Sequence, residues 1–155
     1  MNRAFMCEAI RISIAKMRRG QGGPFGAVVV RSGNIVGRGW NQVTSSNDPT
    51  AHAEVVAIRD ACRRLKKFHL DDCVLYTSCE PCPMCLAAIY WARINKVFYA
   101  NTRRDAANIH FDDDFIYGEV SRPISKRRLA MKQVMRKEAF AAFKEWQNKA
   151  DKTPY

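Results

Sequence analysis

Hydrophobic residues near the N-terminus recur first with a helical period and then in strand-like runs. The helical period predicts an amphipathic helix over residues 1–19, ended by the glycine-rich segment 20–23, with an apolar face made of Met6, Ile10, Ile14 and Met17. Residues 25–30 form an almost continuous apolar run, and a turn at residues 31–34 separates them from a second run at residues 35–41. Together the two runs predict a β-hairpin.

The middle of the chain alternates between helical and strand patterns. Asp48-Pro49-Thr50 predicts the start of a helix that has His52 at its beginning. Strands are predicted over residues 74–77 and 96–100, and a helix from Cys82 to about residue 91 joins them. Strands joined in this way favour parallel pairing with a right-handed crossover, so the pattern indicates an α/β fold.

The pattern is weaker beyond Asn101. It predicts a short helix over residues 112–119, a strand over residues 131–135 and a helix over residues 137–148. A chain of 155 residues that is 47% hydrophobic is long enough for one domain, which we expect to cover residues 1–155. No apolar run approaches the roughly 18 residues of a membrane span, so we expect no membrane segment.

The net charge of +11 is concentrated at the C-terminus. From Val120 onward there are ten Lys or Arg residues and three Asp or Glu residues. Such a segment is either an RNA-binding surface or a solvated face, and both interpretations remain open.

Six cysteines are present without the regular spacing of a disulfide framework, so we expect reduced thiols and a cytoplasmic location. Cys79, Cys82 and Cys85 are evenly spaced, and composition alone does not say which two would bind a metal. Cys82 followed by Pro83 predicts the cap and first residue of a helix, which places Cys85 on the same face. Helical geometry therefore favours the later pair.

The segments His52-Ala-Glu54 and Pro81-Cys-Pro-Met-Cys85 combine one imidazole, two thiolates and one carboxylate. This ligand set suits Zn²⁺, and three protein ligands leave one tetrahedral position for a water, as in a catalytic zinc site. We therefore expect one zinc ion per chain, held by His52, Cys82 and Cys85, with Glu54 free to carry protons. The helix with His52 at its beginning and the helix that begins at Cys82 should meet around the metal with their N-termini, at the carboxyl ends of the central strands.

Three features resemble the cytidine deaminase-like superfamily: Asn41, the run Asn47-Asp-Pro-Thr-Ala-His-Ala-Glu54, and the run Leu75-Tyr-Thr-Ser-Cys-Glu-Pro-Cys-Pro-Met-Cys85. The resemblance implies a three-layer α/β/α sandwich with a mixed sheet of about five strands. Within the superfamily the sequence is most similar to the bacterial guanine deaminases, through Gly22-Gly-Pro-Phe-Gly-Ala27, Ala88-Ile-Tyr-Trp-Ala-Arg93 and Phe111-Asp-Asp-Asp-Phe-Ile-Tyr117. The last motif discriminates, because relatives that deaminate adenosine in tRNA share the zinc signature and lack it.

The resemblance implies hydrolysis of guanine to xanthine and ammonia, with a zinc-activated water as nucleophile and Glu54 as proton carrier. It also implies that the substrate contacts Phe25, Asn41, Trp91, Asp113 and the last residue, Tyr155. The carboxylate of Asp113 would accept the N–H that a free purine base carries where a nucleoside carries ribose. Taken without the resemblance, Phe25 and Trp91 are core aromatic residues and Asn41 ends a strand. Asp113 then belongs to a solvated helix start, and Tyr155 is a frayed terminus.

The resemblance further implies that the C-terminal segment, about residues 120–155, covers a pocket as a lid. The covered pocket is either its own or, by exchange in a homodimer, that of a partner. Three alternative functions remain: an adenosine deaminase acting on tRNA, a deaminase of cytosine or another amino-heterocycle, and a structural zinc module with Cys79 as fourth ligand.

Overall fold

A computed structural model describes residues 1–111 and 113–154 of the chain. The contacts divide the chain into two compact units, Met1–Tyr117 and Gly118–Tyr155. The elements of the first unit are, in chain order, α1 (Arg3–Arg18), β1 (Gly26–Arg31), β2 (Asn34–Trp40), α2 (Val43–Ser46), α3 (Ala53–Leu65), β3 (Cys73–Cys79), α4 (Pro83–Trp91), β4 (Lys96–Asn101) and α5 (Arg103–Ala107); α6 (Asp114–Ser121) begins in this unit. The predicted N-terminal helix, hairpin and two later strands are confirmed.

The four strands form one mixed sheet in the order β2-β1-β3-β4. β1 pairs antiparallel with β2 and β3, and β3 pairs parallel with β4, as the helix between them predicts. Alternate residues of β1 face opposite sides of this sheet. Ala27 and Val29 pack in a core with residues of α3 and α4, while Val28 and Val30 pack against α1. The first unit is therefore the predicted three-layer α/β/α sandwich.

Helix α3 lies very close to strand β2, because two glycines of the strand face it. A methyl group at Gly39 would lie 2.1 Å from the carbonyl oxygen of Ala53, and one at Gly37 would lie 2.4 Å from that of Ala57. A hydrogen bond also joins the two elements, because the carboxylate of Asp60 on α3 accepts from the backbone N–H of Arg38 on β2. These contacts fix the position of α3, whose first turn carries Glu54.

The start of α3 differs from the prediction. The helix begins at Ala53 rather than at the segment 48–50. The side chain of Asp48 accepts hydrogen bonds from the backbone N–H and the hydroxyl of Thr50, at 2.8 and 2.6 Å. Because Asp48 closes this local turn, it does not cap a helix, and the chain reaches His52 in an extended conformation.

The second unit contains a 3-10 turn (Ile124–Lys126) and helix α7 (Arg136–Asn148). The predicted strand over residues 131–135 is wrong, because this segment has no regular secondary structure. A strand needs a neighbour to satisfy its backbone groups, and the described residues of this unit contain no other strand. The sheet consequently has four strands instead of about five. Within the described residues, every helix is too short or too polar to cross a membrane.

Candidate active site

The N-termini of α3 and α4 carry the predicted metal ligands. His52 is the N-cap residue of α3 and Cys82 the N-cap residue of α4, and both have extended backbone conformations. Neither side chain is used to cap its own helix. Pro83 occupies the first turn of α4, where its missing N–H costs nothing. Both cap side chains are therefore available to a ligand, and the positive ends of two helix dipoles are nearby.

The structure brings His52, Cys82 and Cys85 together into one cluster. Nδ1 of His52 lies 3.5 Å from Sγ of Cys82 and 3.6 Å from Sγ of Cys85. All three ligand atoms lie within 4.8 Å of one another, and no other group of at least three potential ligands occurs among the described residues. One nitrogen and two sulfurs at this spacing fit a tetrahedral zinc ion with one position left for water.

The thiols of the cluster are strongly polarised. The hydrogen bond from the Cys85 thiol, aided by His52, lowers the pKa of Cys82 to about 4 despite burial. The same interaction with Cys82, together with burial, raises the pKa of Cys85. The contact with Cys82 also raises the pKa of His52. The cluster therefore stabilises a thiolate, which is the form of cysteine that binds zinc.

Glu54 lies beside the cluster without belonging to it. Its side chain is buried, and burial raises the pKa of its carboxyl group, an effect opposed chiefly by a hydrogen bond from Thr77. The Thr77 hydroxyl donates to Oε1 at 2.7 Å, and Oε2 lies 3.3 Å from Sγ of Cys85. A buried carboxyl group with a raised pKa next to a metal site is suited both to accept and to release a proton.

A cavity of about 520 Å³ opens beside this cluster. Six of the predicted site residues line it: Phe25, Asn41, His52, Glu54, Cys82 and Asp113. The ring of Phe25 meets Phe111 edge to face, with centroids 4.9 Å apart, and the two rings form an apolar wall. The cavity thus combines a metal cluster, a buried carboxyl group, aromatic surface and a few polar groups, as binding sites for small molecules do.

The orientation of the Asn41 side chain follows from its neighbours. Its Oδ1 accepts hydrogen bonds from the backbone N–H groups of Gly23, at 3.2 Å, and Val43, at 3.4 Å. Only the oxygen can accept from two N–H donors, so the amide nitrogen is the atom left for a ligand. Asn41 is therefore a hydrogen-bond donor in this cavity, rather than both donor and acceptor.

The segment that carries Asp113 is held next to Pro81, the residue before the metal ligand Cys82. The hydroxyl of Tyr117 donates to the backbone oxygen of Pro81, at 2.9 Å, immediately before Cys82. The guanidinium of Arg103 stacks over the Tyr117 ring and forms an ion pair with Asp114. These contacts place the Asp113 carboxylate at the cavity and close to the charges of the cluster.

Two predicted substrate contacts have a different outcome. Trp91 lies at the end of α4, is 70% exposed, and is not among the described residues that line the cavity. Ile89 and Ala92, and not Trp91, face the core from this part of the helix, and the predicted contact of Trp91 with the substrate stays a prediction. Tyr155 lies outside the described residues, so its predicted role stays a prediction.

Cys79 is a buried thiol at the cavity, and its hydrogen-bond partner is the carbonyl oxygen of Thr102. Cys79 is not part of the metal cluster.

Sequence patterns missed two residues of the site. Arg103 lines the cavity, but a single arginine after a strand carries no local signal. Thr77 has a weak signal, because the alternation within β3 places it on the same face as Leu75, which packs in the core with α3.

The chain is similar to known zinc-binding deaminases. Residues 1–101 match the family model described as the cytidine and deoxycytidylate deaminase zinc-binding region. The chain is 53% identical over 151 residues to a guanine deaminase from Bacillus subtilis, covering 97% of both chains. It is 42% identical over 96 residues to a tRNA-specific adenosine deaminase from Aquifex aeolicus, covering 62% of this chain and 63% of the relative.

Solved structures extend the comparison. The crystal structure of guanine deaminase from Bacillus subtilis superimposes with a TM-score of 0.96 at 52% identity, covering 100% of this chain and 99% of the other. A guanine deaminase from Nitrosomonas europaea gives a TM-score of 0.69 at 31% identity, covering 73% of this chain and 65% of the other.

Replacing one ligand tests the assignment of the cluster. We expect Cys82→Ser to bind zinc at least about tenfold more weakly, because a hydroxyl is a poor substitute for a thiolate. Cys79→Ser is the matched control and should retain about one zinc ion per chain. Elemental analysis after dialysis against a competing chelator measures both. Zinc loss in the Cys79 variant would make Cys79 a ligand, and full retention in the Cys82 variant would remove Cys82 from the ligand set. Either result would contradict the assignment.

Proposed function

Since this chain belongs to the cytidine and deoxycytidylate deaminase family, we propose that it hydrolyses guanine to xanthine and ammonia. The observation that carries the proposal is the extent of the similarity. The match to guanine deaminase covers nearly the whole chain, including the segment that holds Asp113, whereas the match to the Aquifex tRNA deaminase covers 62% of it. The pocket that selects the substrate therefore resembles that of a nucleobase enzyme.

In the proposed reaction a water oxygen bonds to the ring carbon that carries the exocyclic amine, and the bond to that amine breaks. Zinc held by His52, Cys82 and Cys85 would supply a water that loses its proton near neutral pH. Glu54 takes one proton from the attacking water and gives it to the adjacent ring nitrogen. It then takes the second proton from the hydroxyl that is now bonded to the ring carbon and gives it to the amine, which leaves as ammonia while the carbonyl group of xanthine forms. Its burial supports this role, because a raised pKa lets the carboxyl group be protonated and deprotonated in one cycle.

Three further side chains would recognise the base. The amide nitrogen of Asn41 donates to an acceptor on the purine edge, and the ring of Phe25 packs against the purine. Asp113 accepts a hydrogen bond from the imidazole N–H of the free base. In a nucleoside that nitrogen carries ribose, so the same carboxylate favours the base and excludes the nucleoside.

We also place the protein in a homodimer, in which the C-terminal segment of one subunit covers the pocket of its partner and Tyr155 contacts the substrate there. The second unit supports this proposal. None of its described residues is buried, and α7 exposes Phe140, Phe143 and Trp146. An apolar helix face of this kind favours association with another surface. Closing the pocket would exclude water that competes for its polar groups.

The location that fits this chemistry is the cytoplasm. All six cysteines lie in the described part of the chain, and each is a free thiol. Reduced thiols are typical of a reducing compartment.

Incubation with candidate substrates tests the proposed reaction. The zinc-loaded protein should release ammonia and xanthine from guanine and should form no inosine in tRNA and no uracil from cytosine. Glu54→Gln should retain zinc and lose roughly three orders of magnitude in kcat, because the amide cannot carry protons. Liquid chromatography of the products and an ammonia assay measure these outcomes. Inosine in tRNA without xanthine would replace the proposal with the tRNA enzyme.

Removing the Asp113 carboxylate tests how the base is selected. Asp113→Ala should lower kcat/KM for guanine roughly 10- to 100-fold, the value of a hydrogen bond to a charged group. It should also reduce the preference for guanine over guanosine. Asp71→Ala, which removes a carboxylate that is 55% exposed and is not among the described residues that line the cavity, is the control. Equal effects of the two substitutions on that preference would mean that Asp113 belongs to a solvated helix start and does not select the base.

A mixing experiment tests the exchanged lid. A chain truncated after Ala150 and a full-length Glu54→Gln chain should each form dimers with little activity. After unfolding and refolding together, mixed dimers should regain activity, because the intact Glu54 site of the truncated chain is covered by the partner's tail. Analytical ultracentrifugation establishes the dimer. A monomer, or a mixture that stays inactive, would contradict the exchange.

A further inference from the structure

Strand β3 directs the hydroxyl of Thr77 at the carboxyl group of Glu54. Thr77 is fully buried, and its hydroxyl donates to Oε1 of Glu54 at 2.7 Å. The strand is central in the sheet, where Thr77 pairs with Ala27 on one side and Tyr99 on the other. Backbone pairing on both sides leaves the hydroxyl little freedom to move, so it is a rigid anchor for the carboxyl group.

The two oxygens of Glu54 consequently have different surroundings. Oε1 points to the sheet and is engaged by Thr77, whereas Oε2 points to the metal cluster, 3.3 Å from Sγ of Cys85. The hydroxyl of Thr77 therefore holds one oxygen of the carboxyl group and leaves the other on the side of the cluster.

We infer that Thr77 is a positioning residue that holds Glu54 by Oε1 and thereby keeps Oε2 directed at the metal cluster. This inference rests on the proposed function, since Glu54 is the proton carrier there. Without the hydroxyl, Glu54 would keep its place in the first turn of α3, but its carboxyl group would be free to rotate. Misplacing a reacting group by about 1 Å costs roughly a hundredfold in rate, so orientation alone has a measurable effect.

A second interpretation is that the hydroxyl only satisfies a buried acceptor and contributes to stability. Ser78, the next residue, separates the two interpretations. It is also buried, and its hydroxyl oxygen accepts a hydrogen bond from the backbone N–H of Gly26, at 3.0 Å, without contacting Glu54. Removing either hydroxyl should lower stability, but only the removal at Thr77 should change catalysis.

The experiment compares Thr77→Val, Thr77→Ser and the control Ser78→Ala, all loaded with zinc, with guanine as substrate. Valine has the shape of threonine without the hydroxyl. We expect its kcat to fall roughly 10- to 100-fold, with KM within about threefold of the original value. Thr77→Ser restores the hydroxyl and should restore kcat to within about threefold, and Ser78→Ala should retain it. Zinc content should be the same in all variants.

Crystal structures of the same variants give a readout that does not depend on activity. In Thr77→Val the Glu54 carboxyl group should be rotated or occupy more than one conformer, and in Thr77→Ser it should keep the original contact at Oε1. If Thr77→Val does not fold, the Thr77→Ser and Thr77→Ala pair gives the same comparison of hydroxyl present and absent.

Unchanged kcat in Thr77→Val, an equal loss in Ser78→Ala, or a loss confined to KM or zinc content would overturn the inference. Failure of the original chain to convert guanine would instead refute the proposed function, and the Glu54 conformers in the crystals would still decide the role of Thr77.

Discussion

The close contact between α3 and the sheet is the constraint on which the site depends. Gly37 and Gly39 remove the side chains that would otherwise separate helix and strand, and small alanines of α3 fill the contact. Because the helix lies this close, its N-terminus delivers Glu54 within hydrogen-bond distance of the hydroxyl of Thr77 on β3. A shift of the helix by the width of one methyl group would break that contact and move His52 away from the two thiols of α4.

The chemistry of the site follows from placing charge where water is largely excluded. Burial penalises an ionised carboxyl group, and this penalty raises the pKa of Glu54 toward the range in which it can exchange protons. The thiolate of Cys82 is stabilised in the same region by hydrogen bonds and by the N-terminus of α4. The arrangement that makes this region costly to fold therefore also makes it reactive, which is common in active sites.

Local patterns predicted most of the fold and the metal cluster, because ligand spacing and strand alternation are properties of neighbouring residues. These patterns placed the start of α3 too early, because aspartate often caps a helix but Asp48 closes a turn with Thr50 instead. They also predicted a strand over residues 131–135, but the described residues of that unit contain no other strand with which it could pair. The role of Thr77 and the donor-only orientation of Asn41 depend on contacts between distant segments, which no local pattern records.

We expect one zinc ion to be bound by His52, Cys82 and Cys85 alone, with Glu54 beside it and not bound to it. Anomalous diffraction at the zinc absorption edge, from crystals of the native protein, tests this expectation most directly. We expect one zinc peak with these three protein ligands, a fourth position held by a water or another non-protein group, and both carboxylate oxygens of Glu54 outside bonding distance of the metal. A fourth protein ligand, whether Cys79 or Glu54, or a zinc ion at another location, would contradict it.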